Sequence, residues 1–521
     1  MKQPTFLRSR PGQGQPGLSA CLPAPIRLLK LRHAWRLSRR LTHELIKAYG
    51  LPQHMNVCLC PAKWQPAAAS EMTRFHTDAY VHFLQQLECN AAEVRDEAGN
   101  YVLNPSVIFT ETVWLYSQAY TGGSLAAARS VRDGESDIAI CWMGGQTHAR
   151  RDCASGFSFV NDVVLAVLAL LTPSADEPAE ERRVLYLNVD AWHCSGVEEA
   201  FYTTDRVLCL SLHHHADGHF PGSGGAADGG EGAGKHHTIN LPVSDGLTDD
   251  DLEEVLLPVL AAASERFCPH AIVCCAGAGV LAGDRLGCLN VSLGGHSAVL
   301  AAVKALNVPT LVLGGGGFTQ LNAAKAWCHA TATLCDVELP EALPEHVYLD
   351  YYLPDPTLVV PAATIENRNS PLVLAALKET ALEAVGQLVQ RSKPVLKPKR
   401  PVTPGDVPAT GAADGSTAVP TGSDAGASAD ADATDAEMRP ADVAADANGA
   451  KDEGVPASSA AAADGAAAAE DDAVVEDGAE TGAMDVDAGG EGGGEPPAGA
   501  RLAAERIEDG MVADEPAIAD D

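Results

Sequence analysis

Between Asp137 and about Leu313 the chain alternates short apolar or β-branched runs with amphipathic segments of helical length. That alternation restricts the fold more than any single motif does, because strands separated by helices lie side by side in parallel, with the helices covering the sheet. Runs ending at Trp142, Asp190, Leu212, Cys275 and Leu313 read as strands, apolar throughout as strands buried on both faces are. Thr248, with Asp249 to Asp251 behind it, starts a helix in which Leu252, Val255, Leu256, Val259 and Leu260 share a face. A second helix spans roughly His296 to Leu306. The expected class is α/β: a single domain with a doubly wound, mostly parallel sheet flanked by helices.

Each of the five runs is followed by a loop rich in Gly, His or Asp: GGQTHARR, DAWHCSG, HHHADGHF, AGAGVLAGD and GGGGFT. Open α/β sheets bind ligands outside the carboxyl ends of their strands, so these loops are expected to meet at one crevice. DAWHCSG places Asp190, His193 and Cys194 together, with His148 and His213 to His215 on neighbouring loops. Cys and His suit zinc, yet adjacent side chains on an extended segment point to opposite sides. The residues alone leave open a metal site and a group of structural histidines.

The 46% hydrophobic content is ample for a sizeable core. Charge is uneven: residues 401–521 hold 29 acidic and 4 basic residues, so −25 of the total −34 lies there and −9 elsewhere. Past about Lys399 the chain is dominated by Ala, Asp, Gly, Pro and Glu, which bury too little apolar surface to offset ordering entropy. Residues 396–521 are therefore expected to form a disordered acidic tail, and 40–395 the folded domain. Residues 1–39 carry several Lys and Arg and no acidic residue, reading as a poorly ordered basic leader; an organelle transit peptide has a similar composition. Lys397, Lys399 and Arg400 fit a nuclear-import signal. The 14 cysteines form no Cys-x-x-Cys pair and point to a reducing compartment. The longest apolar run, Val163 to Leu171, is far short of the ~20 residues a membrane span needs.

The segments SEMTRFHTDAYVHFL, TGGS, ASGFSFVNDVVLAVL, GVEEAFYTTDRV, GDRLGCLN and GGGGFT closely resemble those of class I histone deacetylases, over roughly Arg40 to Asn367. The resemblance implies the arginase/deacetylase fold and, in the family, zinc-dependent hydrolysis of acetyl-lysine amides. Zinc there polarises the acetyl carbonyl and activates water. The family's loop carries Asp-x-Asp-x-His-His-Gly-Asp-Gly, where this chain has Asn188, Asp190, Trp192, His193, Cys194, Ser195 and Gly196. The three zinc ligands fall on Asp190, Trp192 and Gly279. The catalytic histidine pair falls on Thr147 and His148, and the aspartates that orient it on Asn188 and Ser195. The oxyanion-binding tyrosine is Phe318. Six of these eight roles lack their residue type; Asp190 is the sole retained zinc ligand and His148 the remnant of the pair.

The binding channel is better kept. Gly156, Phe157, Phe220 and Leu286 match residues lining the acyl-lysine channel, and Glu111 stands where the family has an acidic rim residue. At the family's inositol-phosphate site Arg285 is retained, whereas a second arginine falls on Leu321 and a lysine on Trp35. The expectation is a catalytically impaired class I histone deacetylase homologue, nuclear and also cytoplasmic in one variant of the reading, serving as a binding or scaffold subunit in chromatin regulation and transcriptional repression. No cofactor is expected, the family's zinc site being mostly lost. Expected partners are corepressor proteins, histone tails or an active deacetylase paralogue, with no direct nucleic-acid or membrane contact. The alternatives are an active zinc-dependent deacetylase with an atypical site and a module that binds acetyl-lysine without hydrolysis.

Overall fold

Buried on both faces, the central strands alternate between two hydrophobic clusters instead of between core and solvent. A computed structural model of the protein describes residues 18–20, 35–57, 65–90, 95–103, 109–173 and 182–394. Its strands are β1 (Leu18–Ala20), β2 (Asn56–Val57), β3 (Ile138–Cys141), β4 (Val184–Val189), β5 (Val207–His214), β6 (Thr238–Val243), β7 (Ala271–Ala276) and β8 (Thr310–Leu313). They form one sheet in the order β2-β1-β3-β8-β7-β4-β5-β6, every neighbouring pair parallel. Leu185, Leu187 and Val189 of β4 enter one cluster, and Val184 and Tyr186 the other. Cys274 and Cys275 of β7 divide the same way, each a small buried hydrophobe.

The helices are α1 (Trp35–Ala48), α2 (Ala69–Met72), α3 (Asp78–Asn90), α4 (Val113–Arg132), α5 (Asp162–Leu171), α6 (Ser195–Phe201), α7 (Asp249–Phe267), α8 (Leu293–Ala305), α9 (Gln320–Leu334) and α10 (Pro371–Gln387). Residues of α1 and α7 to α10 build the first cluster, and residues of α2 to α6 the second, so helices cover both faces. Thr248 caps α7 through a reciprocal pair of bonds with Asp251. The doubly wound parallel sheet of the sequence reading is present. The helix placed at His296 to Leu306 begins three residues earlier, where the Ser292 hydroxyl accepts from the Gly294 and Gly295 amides.

Three strands escaped the sequence reading. β1 and β2 are too short to show a period, and β6 contains Asn240 and Pro242, which argue against a strand. β6 tolerates proline because it is a sheet edge. β1 and the first turn of α1 fall within the stretch assigned to the leader, while the remainder of that stretch and the acidic tail lie outside the described residues. β3 and β4, consecutive in this core of strands, are separated in the sheet by β8 and β7. The loops leaving these four strands therefore surround one crevice.

Candidate functional site

β4 delivers Asp190 into the floor of that crevice, and its carboxylate is spent on backbone. Oδ1 accepts from the Ala191 amide at 2.8 Å and Oδ2 from the Gly316 amide at 2.6 Å. Burial pushes its pKa up to about 7, with nearby Asp284 adding to the shift and the two amides and Arg39 opposing it. Arg39 of α1 reaches the same floor: its Nη2 donates to Gly315 O at 3.1 Å and its guanidinium lies 3.9 Å from the Trp327 ring centre.

Trp192 takes the space beside that carboxylate. Its nearly buried indole meets Phe318 edge-on at 5.1 Å between ring centres and lies almost parallel to His219 at 6.4 Å. A Cβ at Gly279 would overlap Trp192 Cζ3 and lie 2.5 Å from Asp190 Oδ1. One at Gly316 would come 2.5 Å from Cζ3. The position at which the resemblance expects a third ligand thus has no side chain and no room for one. A catalytic zinc site needs three protein ligands, and this set offers a single carboxylate already bonded to two amides, so the residues present do not fit the ion.

His148 lies at one wall, 4.9 Å from Phe220, with its Nδ1 lacking a partner among the described residues. Burial first, then His193 and Arg150, pushes its pKa down to about 3. A Cβ at Gly156 would strike the Phe220 ring, which explains glycine there, and Phe157 beside it reaches Phe318 at 5.7 Å. Asp162 at the start of α5 holds the GGQTH loop, accepting from the Gly145 and Gln146 amides and the Ser124 hydroxyl. Asn161 secures its other end through Thr147 O and Ala149 O. Opposite, Asp284 accepts four amides, those of Leu286 and Gly287 on its own loop and of Phe318 and Thr319 on the next.

The group Asp190, His148, His193, Cys194 and His213 to His215 does not form a ligand set, although the His193 and His213 rings pack at 4.6 Å. His193 Nδ1 meets Ser223 Oγ at 2.9 Å and its Nε2 meets Glu198 Oε2 at 3.0 Å, whereas Cys194 is buried in the α2 to α6 cluster. Among the described residues no three of His, Cys, Asp or Glu are grouped to hold a metal. Glu198 also accepts from Asn240 at 2.8 Å. Asn188 donates to Trp192 O and Ser211 Oγ, so the backbone under the indole is held by an amide where the family uses a carboxylate.

Of the expected site residues, Asp190, His148, Gly156, Phe157 and Phe220 surround one recess with Trp192 and Phe318. Leu286 is half-buried on the Asp284 loop and Arg285 exposed beside it. Glu111 is exposed just before α4, and the side chain of Trp35 lies outside the described residues. Arg39, Asp162, Glu198 and Asp284 were missed; GDRLG and VND carried the only signals, an acidic residue beside the glycine or asparagine of a loop.

Buried histidines make stability depend on pH in a definite direction. His76, His219 and His296 are pushed to about 4 and His148 to about 3 by burial. Each favours the fold fully above its unfolded value of about 6.5 and loses that contribution as pH falls toward 4. Asp162, raised to about 6, and Asp190, raised to about 7, act oppositely, losing stability as pH rises from about 4. Histidines outnumber the acids, so unfolding free energy should rise between about pH 4 and 6.5, each group contributing up to about 1.4 kcal/mol per pH unit. Denaturant midpoints across that range check this; a falling profile would refute it.

Residues 32–334 match the histone deacetylase domain. Histone deacetylase 19 of Arabidopsis thaliana is 40% identical over 351 residues, 67% of this chain and 68% of that protein. Histone deacetylase 1 of Homo sapiens is 39% identical over 350 residues, 67% and 70% of the two chains. Histone deacetylase 9 of Arabidopsis thaliana is 41% identical over 344 residues, covering 66% and 78%. The sheet, the crevice loops and these matches agree, and the chain belongs to the histone deacetylase family as a homologue of its class I members.

Proposed function

We propose that this homologue has lost zinc-dependent hydrolysis and serves as a binding or scaffold subunit in chromatin regulation. The observation that carries the reading is the Trp192 indole lying against Gly279 and Gly316, where a metal and its third ligand would need room. The other losses point the same way. Phe318 has no hydroxyl for an oxyanion, and loss of such a donor costs roughly 10²-fold to 10³-fold in rate. A general base without its orienting partner forfeits up to about 10⁴-fold, and these effects act as a unit instead of multiplying.

We extend this reading to a nuclear location and to corepressor proteins, histone tails or an active paralogue as partners, with Lys397, Lys399 and Arg400 supporting nuclear import. The test is an acetyl-lysine peptide assay on purified full-length protein with and without added zinc, with metal content measured in parallel. No turnover above background and no bound zinc are expected. Robust turnover abolished by chelator would establish the opposite reading, an active deacetylase with an atypical centre.

A further inference from the structure

We propose that the recess floored by Trp192 recognises an alkylated ammonium group, such as a methylated lysine side chain, in preference to acetyl-lysine. The proposal rests on the non-hydrolysing reading above. Phe157, His219, Phe220 and Phe318 are only half-buried, while Trp192 at the floor and His148 at one wall are nearly buried. Their contacts run from Phe157 to Phe318 to Trp192 to His219 along one side, and from His148 to Phe220 on the other. Aromatic faces carry negative quadrupole charge and attract quaternary ammonium ions.

Asp190, its pKa pushed up to about 7 by burial, adds a partial negative charge to that field. Asp190 Oδ1 and Trp192 Cζ3 both crowd the point where a Gly279 Cβ would stand, and both crowd the corresponding point at Gly316, at 3.0 and 2.5 Å. The acid therefore lies directly beside the indole. No ring of the recess brings an opposing charge, because burial holds His148 and His219 neutral at physiological pH. Arg39 stays a cation near Asp190 and offsets part of that charge, with its guanidinium on Gly315 O and the Trp327 face, so the ring faces carry most of the attraction.

Acetyl-lysine fits this chemistry poorly. Its carbonyl would meet Phe318, which cannot donate, and a ring instead of a metal at Trp192. Burying an amide without a partner is costly, whereas a trimethylammonium group has no proton to donate and needs only π faces and nearby negative charge.

The test is calorimetric titration of the full chain with one lysine peptide made in four forms: trimethylammonium, its neutral tert-butyl isostere, acetyl and unmodified. The trimethylammonium form is expected to bind at least about tenfold tighter than each of the others. Equal binding of the tert-butyl isostere, tighter binding of the acetyl form, or binding of none would overturn the proposal. Mass spectrometry of the recovered acetyl peptide keeps the two claims apart. An intact peptide without methyl selectivity defeats the ligand assignment alone, and a deacetylated product defeats the non-hydrolysing reading.

Discussion

Gly279→Asp, the substitution that would restore the family's third ligand, is expected to destabilise the protein by about 3–5 kcal/mol, a large part of a typical domain's margin. The new Cβ overlaps Trp192 Cζ3 and lies 2.5 Å from Asp190 Oδ1, so the change adds volume to a filled space and sets a second carboxylate against one that burial already holds near 7. Neither cost is relieved by an available donor. Combining it with Trp192→His removes the indole, and the pair should recover about 1–3 kcal/mol relative to the sum of the single variants. Added zinc should then raise the unfolding midpoint of the double variant and leave the parent's unmoved. Additive single effects would show that Trp192 does not occupy the ligand space.

Glu198→Ala is the second large effect, with an expected loss of about 3 kcal/mol in denaturant unfolding. The carboxylate sits nearly buried on α6 and accepts from His193 Nε2 at 3.0 Å and Asn240 Nδ2 at 2.8 Å, joining the loop after β4 to the edge strand β6. Alanine strands both donors away from water. Glu198→Gln keeps one acceptor oxygen and should cost less, about 1 kcal/mol. If alanine costs no more than glutamine, the network contributes nothing to stability.

The parallel sheet was legible because five of its strands are continuous apolar runs long enough to register a pattern. β6 was not, since Asn240 and Pro242 both argue against a strand and only the edge position accommodates the proline. The site was legible in its location, which follows from where parallel strands end, and in its residue types, which the resemblance aligned. Its organisation was hidden. Asp162 and Asp284 hold loops by accepting backbone amides, an arrangement that leaves no spacing signature in the sequence. Trp192 presented only as a missing histidine; that it also fills the volume over Gly279 depends on a ring orientation no linear pattern encodes. Arg39 lay in a stretch set aside by composition, yet it bonds across the fold to Gly315.

The fit of indole against glycine also locks the two positions to each other: tryptophan at 192 leaves no space for a carboxylate at 279, and glycine at 279 is what seats the ring. Restoring the family's chemistry would need changes at all six emptied positions, and among these 192 and 279 would have to change together because neither fits without the other.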